Sequence, residues 1–371
     1  MMTQTGLREV TVSGDALTRG LQHGESLRAE IQQFVGDDFA RVNRVRHVPL
    51  SPAQLRAVID AHRRVIEEDV PELARELEGL ARGAGIRYEE ALLLQLRREL
   101  VGAPAGDAGG DCSTIAHCDS RGRWLAQTVD QDGLIADLGI VLRILPEREG
   151  LPEILMFTFA GLLGFMGINS FGLGVAINLL TSESEGPGVP PYLLIRRILA
   201  SSSAEQAVEL LNGIRRASAR AFTVSGPDRL VCCEFTPRRL RSWSPGSTFL
   251  RTNHFLHEDL MPDERLNLFS RNGSRRRLEI LTAGLPSAVD DASTFALLSD
   301  HSLFPTGLCA HAEGDIRRPD TVAGVILRPE EGTISAVKGH PCSGAPRTFQ
   351  LSSRALSSCG RVTHRAEVTC S

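Results

Sequence analysis

Aromatic side chains are scarce, at 5% of 371 residues, with 2 Trp and 2 Tyr. That is too few for a platform on which bases stack. A net charge of -4, with arginine and acidic residues mixed along the chain, supplies no basic face for a phosphate backbone either. No nucleic-acid partner is expected. Arginine is used almost to the exclusion of lysine, a bias that reads as base composition rather than function. The N-terminus, MMTQTGLREVTVSGD, lacks a basic segment followed by an apolar core, so no secretory signal is expected and a cytoplasmic location is. Cysteine pairs of the C-x-x-C type are missing, and no His-Cys cluster has zinc spacing, so no metal site is expected. The cysteines at 112, 118, 232, 233, 309, 342, 359 and 370 read one by one as buried thiols of a reducing compartment.

One long uncharged run is present, Leu155 to Leu180. Its length would span a bilayer, but Gly161, Gly164, Gly167, Gly172 and Gly174, with Asn169-Ser170 in the middle, punctuate it as three buried strands joined by turns. No membrane partner is expected. Apolar residues at 42% and charged ones at 23% are ordinary for a globular chain with a sizeable core.

The first hundred residues read as helical. Ala16 to Phe34 places Leu17, Leu21, Leu27 and Ile31 at helical spacing. Ser51-Pro52 is a cap followed by a first-turn proline, Pro71 opens another helix that Gly83 and Gly85 end, and Tyr88 to Leu100 gives a fourth. After Cys112 the pattern changes to short apolar runs between turn residues: CSTIAHC, RWLAQTVD, GIVLRIL, ILMFTFAG, GFMGIN and LGVAINLL. Helices return at Pro191–Ala200, Ala204–Arg215 and near Ser274–Thr282. Strands are expected near 221–225, 229–235, 321–327 and 333–337, with a loose tail from Ser352. The order of elements predicts a layered α+β body in which the helical start belongs to the same core.

Cys112 opens a strand directly after Gly109-Gly110-Asp111. If the bond before it broke, Cys112 would carry an α-amine. Such an amine titrates near ~8 and could take the thiol proton without a histidine. A Cys at a strand start does not suit the papain arrangement, which wants a helix N-terminus and a distant His. By itself, a Gly-x-Cys turn leaves packing and catalysis both open. Asp130 reads either as a cap at the strand end or as a polar group near the thiol. Asn178, ending an apolar strand, reads as a turn residue or as a buried amide in need of a partner.

Seven stretches carry a resemblance. They are VSGDALTRGLQHGESLRAEI, ELEGLARGAGIRYEEALLLQLRREL, DCSTIA, AQTVD, GINSFGLGVAINLL, RTNHF and TVAGVILRPEEGTISAVKGHPC. In that order, from about Val12 to Cys342, the chain resembles the acyl-coenzyme A:6-aminopenicillanic acid acyltransferase (isopenicillin N acyltransferase-like) family of N-terminal-nucleophile hydrolases. The resemblance implies a four-layer αββα sandwich with a helical N-terminal segment. It also implies a precursor that cuts itself between Asp111 and Cys112 into an α fragment, 1–111, and a β fragment, 112–371, forming one structural domain.

Carried over residue by residue, the resemblance makes Cys112 the nucleophile, Asp130 the group that orients it and Asn178 an oxyanion donor. Asn253 becomes a second amide beside the nucleophile. His254, His117 and Cys118 read as structural. The chain departs from the family at TGLCAH, where Ala310 stands in place of an arginine, and Arg317 or Arg318 is the candidate replacement for binding substrate. Thr128 also stands where the family often has Asn. The implied activity is hydrolysis or exchange of an amide-linked acyl group on a small molecule, with no cofactor. Acyl-coenzyme A is the alternative co-substrate, a non-catalytic binding protein is the rival reading, and a homo-oligomer is left open.

Overall fold

The computed structural model describes residues 6–38, 40–101, 112–119, 122–183 and 186–352. Asp111, on the leaving side of the expected cut, lies outside them, as does the expected tail beyond Ser352 with Cys359 and Cys370.

The chain starts with β1 (Arg8–Val12), a strand the sequence reading did not expect, and then runs through six helices. These are α1 (Ala16–Ser26), α2 (Arg28–Gly36), α3 (Val42–Val45), α4 (Pro52–Asp69), α5 (Pro71–Ala84) and α6 (Tyr88–Val101). Ser51 caps α4 in a reciprocal capping box with Gln54, as the Ser-Pro signal predicts. The single helix expected over Ala16–Phe34 is two, broken at Leu27 (φ -128, ψ 25). The buried stripe of α1 also differs from the leucine one: it is Ala16, Arg19, Gly20, His23 and Gly24. Those glycines face Gly79 and Gly83 of α5, which are interior to that helix rather than its end; Gly85, at φ +67, ends it. A Cβ on Gly79 would lie 2.1 Å from the Leu17 carbonyl oxygen, so the two helices cross backbone to backbone.

Strands follow in quick succession: β2 (Ser113–Asp119), β3 (Gly122–Gln131), β4 (Gly139–Ile144), β5 (Ile154–Phe159), β6 (Met166–Asn169) and β7 (Gly174–Leu179). The uncharged run is thus the three buried strands β5–β7, and no helix among the described residues is long and apolar enough to cross a membrane. Next come α7 (Pro191–Ile198), α8 (Ala204–Gly213), β8 (Arg220–Ser225), β9 (Leu230–Phe235), β10 (Leu240–Trp243) and β11 (Thr248–Arg251). The chain closes with α9 (Leu268–Gly284), α10 (Asp291–Leu298), β12 (Asp320–Arg328), β13 (Thr333–Lys338) and β14 (Arg347–Gln350).

Two sheets result. One has eight strands in the order β1-β4-β5-β6-β7-β8-β9-β10, and the other six in the order β11-β2-β3-β12-β13-β14. They lie face to face, β2 and β3 against β7, β3 also against β8, and β12 and β13 against β6. With the inner faces so covered, helices occupy the outer ones: α8 on β8–β10, and α9 and α10 on β2, β3, β11 and β12. The architecture is an αββα sandwich. A strand covered on both faces must be apolar on both, which is why β12 is buried at all nine positions and why these strands read as runs rather than alternations. β1 pairs in parallel with β4, Arg8 opposite Ile140, so the N-terminal segment supplies an edge of the larger sheet.

Candidate active site

Cys112 precedes β2, where Ser113 pairs with Thr128 of the antiparallel β3. That register brings the thiol to the backbone of Asp130: the Asp130 N–H donates to Sγ at 3.4 Å, and Sγ lies 3.7 Å from the Asp130 carbonyl oxygen. Cys112 is 4% exposed and lines a narrow cleft of about 30 Å³ together with Asp130, Ile177, Leu179 and Tyr192.

The carbonyl oxygen of Cys112 is held from two sides. Asn178, at the end of β7 in the facing sheet, donates from Nδ2 at 3.0 Å, and its Oδ1 accepts from Thr114 Oγ1 at 2.7 Å. Arg277, 1% exposed on α9, reaches inward past the six-stranded sheet. Its Nη1 donates to the same carbonyl at 3.3 Å and to Ser113 Oγ at 2.9 Å, and its Nη2 to Asn253 Oδ1 at 3.0 Å. Asn253 in turn donates to the Leu179 carbonyl oxygen at 3.1 Å. Asn178 and Arg277 therefore clamp one peptide unit, Arg277 being braced in turn by Asn253. Asp130 is 1% exposed; its Oδ1 accepts from Thr321 Oγ1 at 2.6 Å, and that hydroxyl also accepts from the Ala310 N–H at 2.7 Å.

The structure thus brings together Cys112, Asp130, Asn178 and Asn253. Arg317 and Arg318 do not join them. Both are exposed on the turn after Ala312, Arg318 faces Glu313 and Asp315, and the arginines that line the cleft are Arg98 and Arg220. Each of those is ion-paired, Arg98 with Asp132 at 2.9 Å and Arg220 with Glu99 at 2.8 Å. Burial pushes the Asp132 carboxyl up, but Arg98 and Arg97 outweigh it and hold it below the ordinary carboxylate range. Tyr192, also lining the cleft, is pushed up to about 12 by burial and then by Glu99, so its hydroxyl remains a donor at neutral pH.

His254 Nδ1 meets Ser274 Oγ at 2.8 Å, and burial followed by Arg251 lowers its pKa to about 4. His117 packs edge-on against Trp124, and Cys118 is half-buried on the same strand. Arg277 was missed. In RRRLEI it looks like part of a solvated basic face, yet Ser274, Arg277 and Leu281 are the buried positions of α9, at i, i+3 and i+7. That spacing was the available signal.

The family model described as acyl-coenzyme A:6-aminopenicillanic acid acyl-transferase matches residues 118–342, more than half the chain. The chain belongs to that family. Among curated relatives, it is 28% identical over 315 residues to the acyl-coenzyme A:6-aminopenicillanic-acid-acyltransferase 40 kDa form of Emericella nidulans, covering 83% of this chain and 86% of that one. It is also 28% identical over 194 residues to the beta-alanyl-dopamine/carcinine hydrolase of Drosophila melanogaster, 45% of this chain and 48% of that one. Among solved structures, penicillin V acylase from Agrobacterium tumefaciens matches with a TM-score of 0.44 at 12% identity, over 66% of this chain and 86% of that one. This is a chain of an enzyme family, with two sheets and helices arranged as the family resemblance implies.

Proposed function

We propose that the protein is a self-processing cysteine amidohydrolase/acyltransferase that removes or exchanges an amide-linked acyl group on a small molecule through an acyl-enzyme on Cys112. The carrying observation is the clamp on the Cys112 carbonyl by Asn178 and Arg277, which fixes the nucleophile's backbone and thereby its thiol and α-nitrogen. Cleavage of the Asp111–Cys112 bond gives Cys112 an α-amine. That amine accepts the thiol proton as Sγ attacks the substrate carbonyl, and a tetrahedral oxyanion forms. Asn178 and backbone N–H groups are its donors, with Asn253 a second amide beside the nucleophile. Collapse expels the amine with the proton and leaves a thioester. Water then releases the acid and restores the thiol; a second amine instead takes the acyl group.

Hydrolysis of a small acylated amine is the favoured outcome. Both cleft arginines are already paired with carboxylates rather than poised for coenzyme A phosphates. The acyltransferase relative keeps the acyl-coenzyme A reading alive, and the two are separated by whether added acyl-coenzyme A and an amine acceptor yield transfer product.

Intact-mass measurement of purified protein tests the proposal. Two fragments are expected, the larger starting at Cys112, and Cys112→Ala should leave one uncut chain without turnover, while Cys118→Ala cuts and turns over normally. Full activity in an uncut chain would refute the amine as base.

A further inference from the structure

At the end of the six-stranded sheet, four side chains converge from two separate connections. His301 follows α10, Cys309 and His311 lie before β12, and Cys342 follows β13. One ligand-type atom from each lies within 4.8 Å of every other. No short-spaced Cys/His motif marks the set in the sequence; the fold assembles it.

The distances have a recognisable pattern. A tetrahedral zinc-type cation sits about 2.3 Å from thiolate sulfur and about 2.0–2.1 Å from imidazole nitrogen. Geometry then requires edges of about 3.8 Å between sulfurs, about 3.6 Å between sulfur and nitrogen and about 3.3 Å between nitrogens. Observed are 3.7 Å between Cys309 Sγ and Cys342 Sγ, and 3.5 and 3.7 Å from His311 Nε2 to Cys309 Sγ and Cys342 Sγ. His301 Nε2 and His311 Nε2 are 3.0 Å apart, and His301 lies within 4.8 Å of both sulfurs.

Hydrogen bonding does not account for this arrangement. The Nε2 of His311 has one in-plane direction for a proton or a lone pair, yet three ligand-type atoms crowd it. A disulfide would not account for it either: it would draw the two sulfurs to about 2.05 Å and leave both imidazoles without a reason to converge. A third imidazole backs the His311 ring. His340 stacks on His311 with centroids 3.9 Å apart, and its Nε2 meets Asp320 Oδ1 at 2.8 Å, an oxygen that also accepts from the Ala312 N–H at 3.0 Å.

We propose that His301, Cys309, His311 and Cys342 bind one divalent cation of the zinc class in a closed Cys2His2 site. Two thiolates balance the charge of the ion, and each thiol releases its proton on binding. All four positions are filled by protein, so the site is structural rather than catalytic. It staples the connection before β12 to the one after β13. The stapled segment includes Ala310, whose N–H donates to the Thr321 hydroxyl that bonds Asp130. The site does not depend on the proposed reaction at Cys112.

The test is metal content of the full chain, prepared without a metal-binding tag and measured by inductively coupled plasma mass spectrometry. About one zinc per chain is expected in the wild type and little in His301→Ala or Cys342→Ser, both at exposed ligands. Should the variants fail to fold, the wild type suffices: cobalt(II) in place of zinc should give the charge-transfer absorption of thiolate ligation and the intense visible bands of tetrahedral geometry, both abolished by added zinc. Folded wild type that takes up neither ion would overturn the proposal. So would equal metal in wild type and folded variants, or a Cys309–Cys342 disulfide in protein handled without oxidant.

Discussion

At the residue scale, Arg277 is the least obvious member of the site and the one whose loss is most informative. It bonds the Cys112 carbonyl oxygen, Ser113 Oγ and Asn253 Oδ1 from a fully buried position. Hydrogen bonds to a charged group contribute roughly 1.5–3 kcal/mol each, and a buried acceptor stripped of its donor bears its own desolvation cost. Arg277→Met, which retains the stem's bulk, should therefore slow appearance of the Cys112 fragment about 100-fold, with Arg277→Lys recovering part of the rate because a single ammonium reaches fewer of the three acceptors. Time-resolved denaturing gels read this directly; an unchanged cleavage rate in a folded Met variant would remove Arg277 from the site. Cys112, Asp130, Asn178 and Asn253 were legible because each sits in a recognisable motif. Arg277 was not, because its role exists only once α9 is laid across β2 and β11.

Elements were legible where the chain punctuates itself. Ser51-Pro52, Pro71 and the glycines between β5 and β7 mark boundaries by local chemistry, and the structure places elements there. β1 and the short strands β10, β11 and β14 were not foreseen: four- or five-residue strands have too few positions to show a period, and their pairing is decided by distant partners. The α1–α5 crossing was visible only as glycines in two motifs, without the reason for them. That reason predicts an inverted substitution effect. Gly→Ala inside a helix normally stabilises by about 0.5–1 kcal/mol, but at Gly79 the new Cβ would meet backbone that cannot rotate away. Gly79→Ala should cost about 3 kcal/mol in urea unfolding, the upper end of ordinary overpacking. A stabilised variant would show that the helices separate readily.

His23 belongs to the same crossing and carries a pH dependence. It is buried, its Nε2 accepts from the Gly161 N–H at 3.3 Å, and burial lowers its pKa from 6.5 to about 4. Above pH 6.5 the ring is neutral in both folded and unfolded chains, so it contributes no slope. Between pH 6.5 and 4 the unfolded chain takes up a proton that the folded one refuses, and stability falls as pH falls, by up to about 3 kcal/mol. In His23→Gln, with the titrating group gone, urea midpoints between pH 7 and 4.5 should fall less steeply than in wild type. Equal slopes would mean that His23 protonates without disturbing α1.

At the scale of the whole molecule, the proposed cut divides a body whose core does not divide there. The segment before Cys112 supplies β1 to the larger sheet and the helices α1–α6, with α1 packed on β1. It is tied to the rest by buried pairs: Arg97 and Arg98 with Asp132, Glu76 with Arg196, and Glu99 with Arg220. His62 adds a bond to the Gly188 carbonyl at 2.9 Å. One continuous apolar cluster runs from Leu7 through Leu77 and Leu94 to Val141, Phe222 and Ile334, crossing the cut repeatedly. Separating the fragments would expose that core and leave paired buried charges uncompensated, which costs far more than the single chain connection lost on cleavage. The two fragments should therefore co-elute as one species in native gel filtration at micromolar concentration and unfold in a single transition. Dissociation under native conditions would mean that residues 1–111 are a removable pro-segment, not part of the working enzyme.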